Sequence, residues 1–320
     1  MTVNKKYSFT SANVYPVKLF KAEVLSVDKK IIPIHIQLIL TNKCNLNCAF
    51  CSCQDRNQKQ ELSISKVNEI IKTYSSLGCK AVTITGGGEP LLHKNINNII
   101  KSFHDHKIKI GLVTNGLCLD MLEKDTYQYI NWIRISFDDN RQFDQLMINK
   151  LNKVVPNQTS VDWSFSYVIT KSVNCKNIQR VVDYANQNKF THVRLVTNIL
   201  DVENIIDMSV IKENISNDDI VLYQGRKQYT AGSCKCLISL LKPVIDAGGQ
   251  IYPCCGTQYA KEGQQLDYNT DMSMGGIGRI KTLYEQQLFF DGSRCKKCYY
   301  RDYNEVLSIL LSNIEHKEFV

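Results

Sequence analysis

The sequence predicts an α/β protein, an open partial (β/α)6 barrel of the TIM type followed by a small cysteine-rich module. Two observations predict this fold. Six apolar strand-like segments alternate strictly with helical segments between residues 34 and 214, and such alternation implies parallel strands with right-handed crossovers. The region is also shorter than the roughly 250 residues of a closed eight-unit barrel, which favours an open arrangement of six units.

The first unit pairs a strand at 34–40 with a helix at 63–77, for which Ser63 or Ser65 is a suitable N-cap and Gly78 a stop. The other strands are predicted at 81–85, 108–113, 132–137, 161–170 and 192–196. The other helices are predicted at 95–106, 119–130, 141–153, 176–188 and, with a weaker pattern, 203–214. Functional residues are expected in the loops after the strands, because chemistry in such folds lies at the C-terminal ends of the strands.

The pattern changes near residue 216, where glycines multiply, strands become short and cysteines begin to cluster. We therefore divide the chain into four parts: an N-terminal segment at 1–30, the barrel at 31–215, a cysteine-bound module at 216–303 and a C-terminal helix at 304–320. An apolar helical pattern from Asn304 to Ile314 predicts the last of these.

Composition excludes membrane-spanning and secreted classes. No apolar run is long enough to cross a bilayer, and the first nine residues lack the apolar core of a signal peptide. We therefore expect a cytoplasmic protein, in which thirteen cysteines indicate metal binding or catalysis instead of disulfides. The net charge of +8 is spread without a dense basic stripe, which disfavours a nucleic-acid partner.

Three cysteines follow the first strand directly. Cys44, Cys48 and Cys51 have the spacing C-x3-C-x2-C. Three thiolates on a four-iron cluster leave one iron open to an outside ligand, as catalytic zinc sites also keep an open position. The alternatives are three cysteines that only pack, or a zinc site with Cys53 as fourth ligand, although the spacing of Cys53 orients it poorly.

With Phe50 directly before the third cysteine, this motif resembles the signature of the radical S-adenosylmethionine (SAM) enzymes. The resemblance implies that Cys44, Cys48 and Cys51 bind a [4Fe–4S] cluster whose open iron binds SAM. It also implies reductive cleavage of SAM to a 5′-deoxyadenosyl radical that abstracts a hydrogen atom from the substrate. A flavodoxin or ferredoxin is the reductant expected for this family.

Further segments match the family in the same order along the chain. The segment GGGEP, residues 86–90, follows the second strand, and its glycines let the backbone approach a ligand closely. The resemblance assigns SAM binding to this segment and to the ends of the third and fourth strands: Gly86, Gly87, Gly88, Glu89, Thr114, Asn115, Ser136 and Asp138. A plain turn at Asn115-Gly116 and a helix cap at Asp138 are the alternatives.

The C-terminal cysteines resemble the SPASM and shorter twitch modules of this family, which hold auxiliary clusters. The chain has too few cysteines for the longer type. The resemblance therefore implies one auxiliary [4Fe–4S] cluster, with these ligands: Cys236 (or Cys234), Cys254, Cys295 and Cys298. A zinc ribbon on the same residues is the alternative. Cys255 is left over: it either only packs or donates a hydrogen atom, as a cysteine does in some radical epimerases of similar architecture.

These features predict a radical SAM enzyme of the oxidoreductase or epimerase type. The expected substrate is a peptide or a small molecule such as a sugar, changed by oxidation or epimerisation. Two alternatives stay open: an RNA-modifying radical SAM enzyme, motivated by the net charge, and a non-catalytic zinc or iron–sulfur interaction protein.

Overall fold

The computed structural model describes residues 5–10, 15–26, 28–170, 173–198, 206–225, 230–257, 272–312 and 315. Its strands are β1 (His35–Ile39), β2 (Ala81–Thr85), β3 (Lys109–Thr114), β4 (Trp132–Asp138), β5 (Asp162–Ile169), β6 (His192–Thr197), β7 (Val221–Gln224), β8 (Lys235–Cys236), β9 (Val244–Ile245), β10 (Ile251–Tyr252) and β11 (Phe290–Asp291). Its α-helices are α1 (Tyr15–Lys21), α2 (Ile64–Ser76), α3 (Ile96–Asp105), α4 (Gln145–Asn152), α5 (Cys175–Gln187), α6 (Met208–Glu213), α7 (Ile238–Leu241), α8 (Ile280–Glu285) and α9 (Arg301–Leu311).

Nine of these strands form one sheet in the order β10-β9-β1-β2-β3-β4-β5-β6-β7. Strands β1 to β7 are parallel to their neighbours, β9 is parallel to β1, and β10 is antiparallel to β9. Strands β8 and β11 form a separate antiparallel pair. The predicted α/β class and barrel-like parallel arrangement are confirmed.

The strand–helix units lie close to their predicted positions. Capping residues encoded in the local sequence set where the helices begin. Ser63 caps α2, where its side chain accepts a hydrogen bond from the backbone of Lys66. Helix α4 begins at 145, four residues later than predicted, because Asp144 caps it by accepting from the backbone of Met147. Helix α9 begins at Arg301, three residues before the predicted start, and the predicted end at Ile314 lies outside the described residues.

The helix predicted at 119–130 is wrong. Two 3-10 segments, Leu119–Met121 and Lys124–Tyr129, stand in its place. The side chain of Asn97 on α3 bonds to the backbone carbonyl of Met121 and accepts from the backbone N–H of Glu123. A tertiary contact thus takes backbone groups that a continuous helix would use internally.

The sheet continues past the predicted module boundary at 215, since β7 pairs with β6 and β9 pairs with β1. The division into four parts stays a prediction. The predicted helix at 203–214 is seen as α6, with Asp207 as its cap, and residues 203–205 lie outside the described residues. No helix in the described ranges is long and apolar enough to cross a membrane.

The sheet curves so that one face of each strand encloses a cavity. Side chains facing it alternate along the strands with buried apolar side chains that pack under the helices. Gly111 is required on the inner face of β3, because a Cβ atom there would lie 2.0 Å from the ring of Trp132. Phe9 stacks on Trp132 with ring centroids 4.8 Å apart, so the N-terminal segment covers the N-terminal end of the barrel.

Candidate active site

The three cysteines of the first motif lie in the loop after β1, each half-buried. The backbone N–H of Cys51 donates to the carbonyl of Cys48 at 3.0 Å, which turns the loop back on itself. Cys44 and Cys51 both act electrostatically on Cys48, so the three thiols lie near one another. Burial raises the pKa of Cys48 to about 11, whereas a hydrogen bond with Cys53 lowers the pKa of Cys51 to about 6.

The GGGEP segment after β2 is fixed directly to the start of the cysteine loop. The backbone N–H of Gly88 donates to the carbonyl of Thr41 at 2.9 Å, and that of Glu89 donates to the carbonyl of Lys43 at 2.7 Å. A Cβ atom on Gly88 would lie 1.9 Å from the Lys43 carbonyl oxygen, and one on Gly86 would lie 1.9 Å from that of Gly88. Two of the three glycines are therefore required by contacts within the chain itself.

Glu89 joins this segment to the end of β3. Its buried carboxylate accepts hydrogen bonds from the Thr114 hydroxyl at 2.7 Å, the Asn115 backbone N–H at 2.8 Å and the Leu91 backbone N–H at 3.2 Å. Burial raises the pKa of Glu89 and these hydrogen bonds oppose the shift. Glu89 thus aligns two of the loops that surround the cysteines.

Asn115 continues this network to the cysteine loop. Its side-chain amide donates to the Asn45 side chain at 2.7 Å, while its Oδ1 accepts from the backbone of Leu117 at 2.9 Å. Gly116 has a φ of +79°. Asn115-Gly116 is therefore a turn, as the simpler alternative held, and it also contacts the cysteine loop.

Arg141 is a site residue that the sequence analysis missed. Its guanidinium donates to the carbonyl oxygens of Ser136 at 2.9 Å and Asn115 at 3.0 Å, joining the ends of β3 and β4. Its charge acts on Cys48. A basic residue just beyond the segment SFDD, residues 136–139 at the end of the fourth strand, was the available signal.

Asp138 is buried, accepts from the backbone of Asn140 at 2.9 Å and lies near Cys48, whose pKa it raises. It does not cap α4, since Asp144 does. Asp139 instead ties β4 to the loop after β5, by accepting from the Tyr167 hydroxyl at 2.9 Å and the Thr170 backbone at 2.6 Å. Ser136 lines the barrel cavity.

The barrel cavity has a volume of about 1030 Å³. Its described lining contains six cationic side chains and one carboxylate, and the cationic ones are Lys5, Lys18, Lys109, Arg134, Arg194 and Lys242. Asp162, the carboxylate, pairs with Lys5 at 2.8 Å. The cavity therefore has a strong excess of positive charge.

Arg134 and Arg194 are the most constrained of these cations. Arg134 donates to the Phe9 carbonyl and Arg194 to the Ser166 hydroxyl, each at 2.9 Å, but the Nε–H of each is buried with no partner among the described residues. Burial lowers the pKa of both guanidinium groups, and their mutual repulsion adds to the shift for Arg134. Each had a signal in the sequence, since an arginine interrupts an apolar strand.

The C-terminal cysteines converge on a second, smaller cavity. It is lined by Cys236, Cys254, Cys295 and Cys298, and by Tyr300, which also lines the barrel cavity. Cys234 is exposed and does not line it. Burial raises the pKa of Cys236 to about 11 and that of Cys295 to about 12.

Both cysteine sets fit an iron–sulfur cluster in ligand type and number, since thiolates are the usual ligands of such clusters. Among the described residues, no three His, Cys, Asp or Glu side chains come close enough to hold one metal ion. In a four-iron cluster each thiolate binds a different iron, so its ligands stand farther apart than those around a single ion.

Solved structures share this fold. The described fold matches Streptococcus suis SuiB bound to S-adenosylmethionine with a TM-score of 0.57 and 18% identity, over 88% of this chain and 76% of that one. It matches anSMEcpe with bound AdoMet with a TM-score of 0.53 and 13% identity, over 82% of this chain and 81% of that one. At such identities the likeness concerns the fold alone.

Three curated relatives are named as GTP 3′,8-cyclases. "Probable GTP 3′,8-cyclase" of Methanocaldococcus jannaschii is 37% identical over 107 residues, 32% of this chain and 36% of that protein. GTP 3′,8-cyclase of Staphylococcus epidermidis is 30% identical over 190 residues, 53% of this chain and 55% of that protein. GTP 3′,8-cyclase of Helicobacter pylori is 24% identical over 291 residues, 79% and 88% of the two chains. The chain thus spans about a third of the length of the first of these relatives and about half of the length of the second.

These relatives correct the functional prediction. A peptide or sugar-type substrate, changed by oxidation or epimerisation, is wrong, because the relatives are named for a cyclisation of GTP. The same finding overturns the RNA-modifying and the non-catalytic alternatives.

The model of the Radical SAM superfamily matches residues 38–208, more than half of the chain, and this region holds the cysteine loop and the GGGEP segment. Members of this family are enzymes that bind a [4Fe–4S] cluster and SAM, so the cofactor prediction is confirmed at the level of the family. The chain belongs to the Radical SAM superfamily.

Proposed function

We propose that this chain is a radical SAM enzyme that acts on a purine nucleoside triphosphate, as the GTP 3′,8-cyclases are named for doing. The observation that carries the proposal is the cationic barrel cavity, which none of the sequence motifs predicted. The similarity to the cyclases supplies the substrate class, and the cavity supplies an independent physical reason for it.

The cavity suits such a ligand in size and charge. Its volume of about 1030 Å³ is at the upper end of the roughly 300–1,000 Å³ typical of small-molecule sites. A triphosphate carries several negative charges, and the lining offers guanidinium and ammonium groups with one carboxylate against them. Phosphate oxygens would satisfy the buried Nε–H groups of Arg134 and Arg194, for which the described part of the chain offers no partner.

Within this proposal, Cys44, Cys48 and Cys51 hold the catalytic [4Fe–4S] cluster, which together with SAM supplies a 5′-deoxyadenosyl radical when both are bound. The residues proposed to bind SAM are those that the resemblance assigns: Gly86, Gly87, Gly88, Glu89, Thr114, Asn115, Ser136 and Asp138. Their part is to orient SAM and to keep water away. Arg141 joins this group as an added candidate, because it links two of the loops.

Cys236, Cys254, Cys295 and Cys298 are proposed to hold the auxiliary cluster, in a module of the SPASM or twitch type. Their convergence supports this set over one with Cys234, which is exposed. Four thiolates also suit zinc, so measured metal content must distinguish an iron–sulfur cluster from a zinc ion at this site. About eight iron and eight sulfide per chain, without zinc, is the expected composition of two clusters.

Cys255 remains a candidate hydrogen donor. It lines the barrel cavity, and its Sγ lies 3.6 Å from the Tyr300 hydroxyl. Its S–H bond would break as a C–H or N–H bond forms on the substrate radical. One electron and one proton would then restore the thiol. A flavodoxin or ferredoxin is the proposed electron source, and the cytoplasm the proposed location.

The test is turnover by anaerobic protein reconstituted with iron and sulfide, supplied with SAM, a reductant and GTP. We expect GTP to raise the rate of 5′-deoxyadenosine formation and to be consumed with formation of a cyclised isomer detectable by mass spectrometry. Arg194→Gln should weaken GTP binding by about tenfold or more without altering guanosine binding, since it removes one phosphate contact. Arg180→Gln, on the exposed face of α5, is the matched control.

Equal 5′-deoxyadenosine formation with and without GTP, together with unconsumed GTP, would refute the proposed substrate. Weakened binding of guanosine and GTP alike in Arg194→Gln would place the arginine outside the phosphate site.

A further inference from the structure

Arg56, beyond the cysteine motif, is directed at a proposed cluster ligand. Its Nη1 lies 3.8 Å from the Sγ of Cys51, within hydrogen-bonding distance of a sulfur acceptor. Its guanidinium also donates from Nε to the Asn42 carbonyl at 2.8 Å and from Nη1 to the Cys53 carbonyl at 2.7 Å. Three N–H groups of this side chain therefore bind one loop at three places. These are Asn42 before the cysteine motif, Cys53 after it, and the third cysteine, Cys51.

These contacts hold the guanidinium in place. Asn42 is buried and itself tied to the backbone and side chain of the segment that follows Arg56, through Asn57 at 3.2 Å and Gln60 at 3.1 Å. Arg56 is half-buried, and among the described residues no carboxylate forms an ion pair with it. Its charge therefore acts directly on the Cys51 sulfur, from 3.8 Å.

The charge has a predictable effect on an attached cluster. A four-iron cluster bound by thiolates is negative overall, and reduction by one electron makes it more negative. A cation and an N–H donor at a ligand sulfur stabilise the reduced form more than the oxidised form. They make the cluster easier to reduce.

We propose that Arg56 raises the reduction potential of the cluster held by Cys51, and so sets how readily the enzyme accepts the electron that cleaves SAM. Arg56 is thus a positioning residue that acts through Cys51. This inference rests on the ligand assignment made under the proposed function, and it is independent of which substrate the enzyme takes.

The test is a potentiometric titration of the reconstituted protein, without substrate, followed by electron paramagnetic resonance. The signal that changes when SAM is added identifies the first cluster and separates it from any second one. At the potential where the wild-type cluster is half reduced, we expect Arg56→Gln to show an about threefold or greater fall in the reduced fraction. Arg56→Lys keeps the charge without the planar group and should lie between the two, and Arg180→Gln should match the wild type.

An unchanged midpoint in Arg56→Gln at full iron content would overturn the proposal. Loss of the SAM-sensitive cluster in both Arg56 variants would also overturn it, by making Arg56 a folding residue of the loop. Cys51→Ala tests the assignment beneath it. If that variant keeps the SAM-sensitive signal, Cys51 is not a ligand and the proposal fails with it, whether or not GTP is a substrate.

Discussion

At the scale of single residues, the site depends on buried polar groups whose partners belong to other loops. Glu89 shows this most clearly, because its carboxylate accepts three hydrogen bonds from the segment 91–115 while its backbone binds to the cysteine loop. Sequence reasoning found Glu89 through its motif. It could not show that the carboxylate forms hydrogen bonds with other loops of the protein, since those bonds depend on the register between β2 and β3.

Glu89→Gln should destabilise the protein by about 1–3 kcal/mol, since an amide NH2 would face a donor where a carboxylate oxygen now accepts. Chemical denaturation of the apo protein measures this. Glu305→Gln breaks an exposed pair with Arg301 and should cost much less, because water screens such pairs. Equal effects of the two changes would mean that the Glu89 network adds nothing to stability.

The pKa of His192 depends on the positive charge of the barrel cavity. It is fully buried against Phe9, and burial together with Arg134 and Arg194 lowers its pKa to about 3. The unfolded chain binds this proton near pH 6.5. Because the unfolded state then holds more protons than the folded state, this residue favours folding above that pH and the benefit is lost as the pH falls.

Unfolding free energies measured from pH 7.5 to 5 should therefore fall below about pH 6.5, by at most about 1.4 kcal/mol per pH unit for this one group. His35, whose pKa burial also lowers, adds to the effect. His192→Gln should flatten the slope, and the exposed His104→Gln should not. A slope unaltered by His192→Gln would assign the pH dependence to other groups.

At the scale of elements, the sequence predicted what is encoded locally. The cap at Ser63 and the alternation of strands with helices follow from short-range patterns. The failed helix at 119–130 is the opposite case, because Asn97, more than twenty residues earlier in the chain, binds its backbone. No pattern within that segment contains this information.

Gly88→Ala tests the contact between two loops. The added methyl group would overlap the Lys43 carbonyl at 1.9 Å, so the cysteine loop must move. We expect the iron content of reconstituted protein to fall by about half, as the first cluster is lost and the second kept. Gly278→Ala is the matched control, since a Cβ atom there meets nothing within 4 Å. Full iron content in Gly88→Ala would show that the loop tolerates the displacement.

At the scale of the whole molecule, the cavity charge could not be foreseen. Arg134 and Arg194 were visible as interruptions of apolar strands, but their facing the same space depends on the curvature of the sheet. Lys18 on α1 and Lys242 just before β9 also line that space. The wrong substrate class followed from this, because the motifs describe the cofactor site and leave the substrate cavity unspecified.

The pairing of β9 with β1 has a consequence for how the chain is made. The first strand of the barrel to leave the ribosome acquires its second neighbour only from residues 244 and 245, some 200 residues later. Until then its edge offers unpaired backbone groups to any other extended chain, as newly made multi-element proteins often do. Completion of the cysteine-rich end therefore also covers the edge of the strand that was made first.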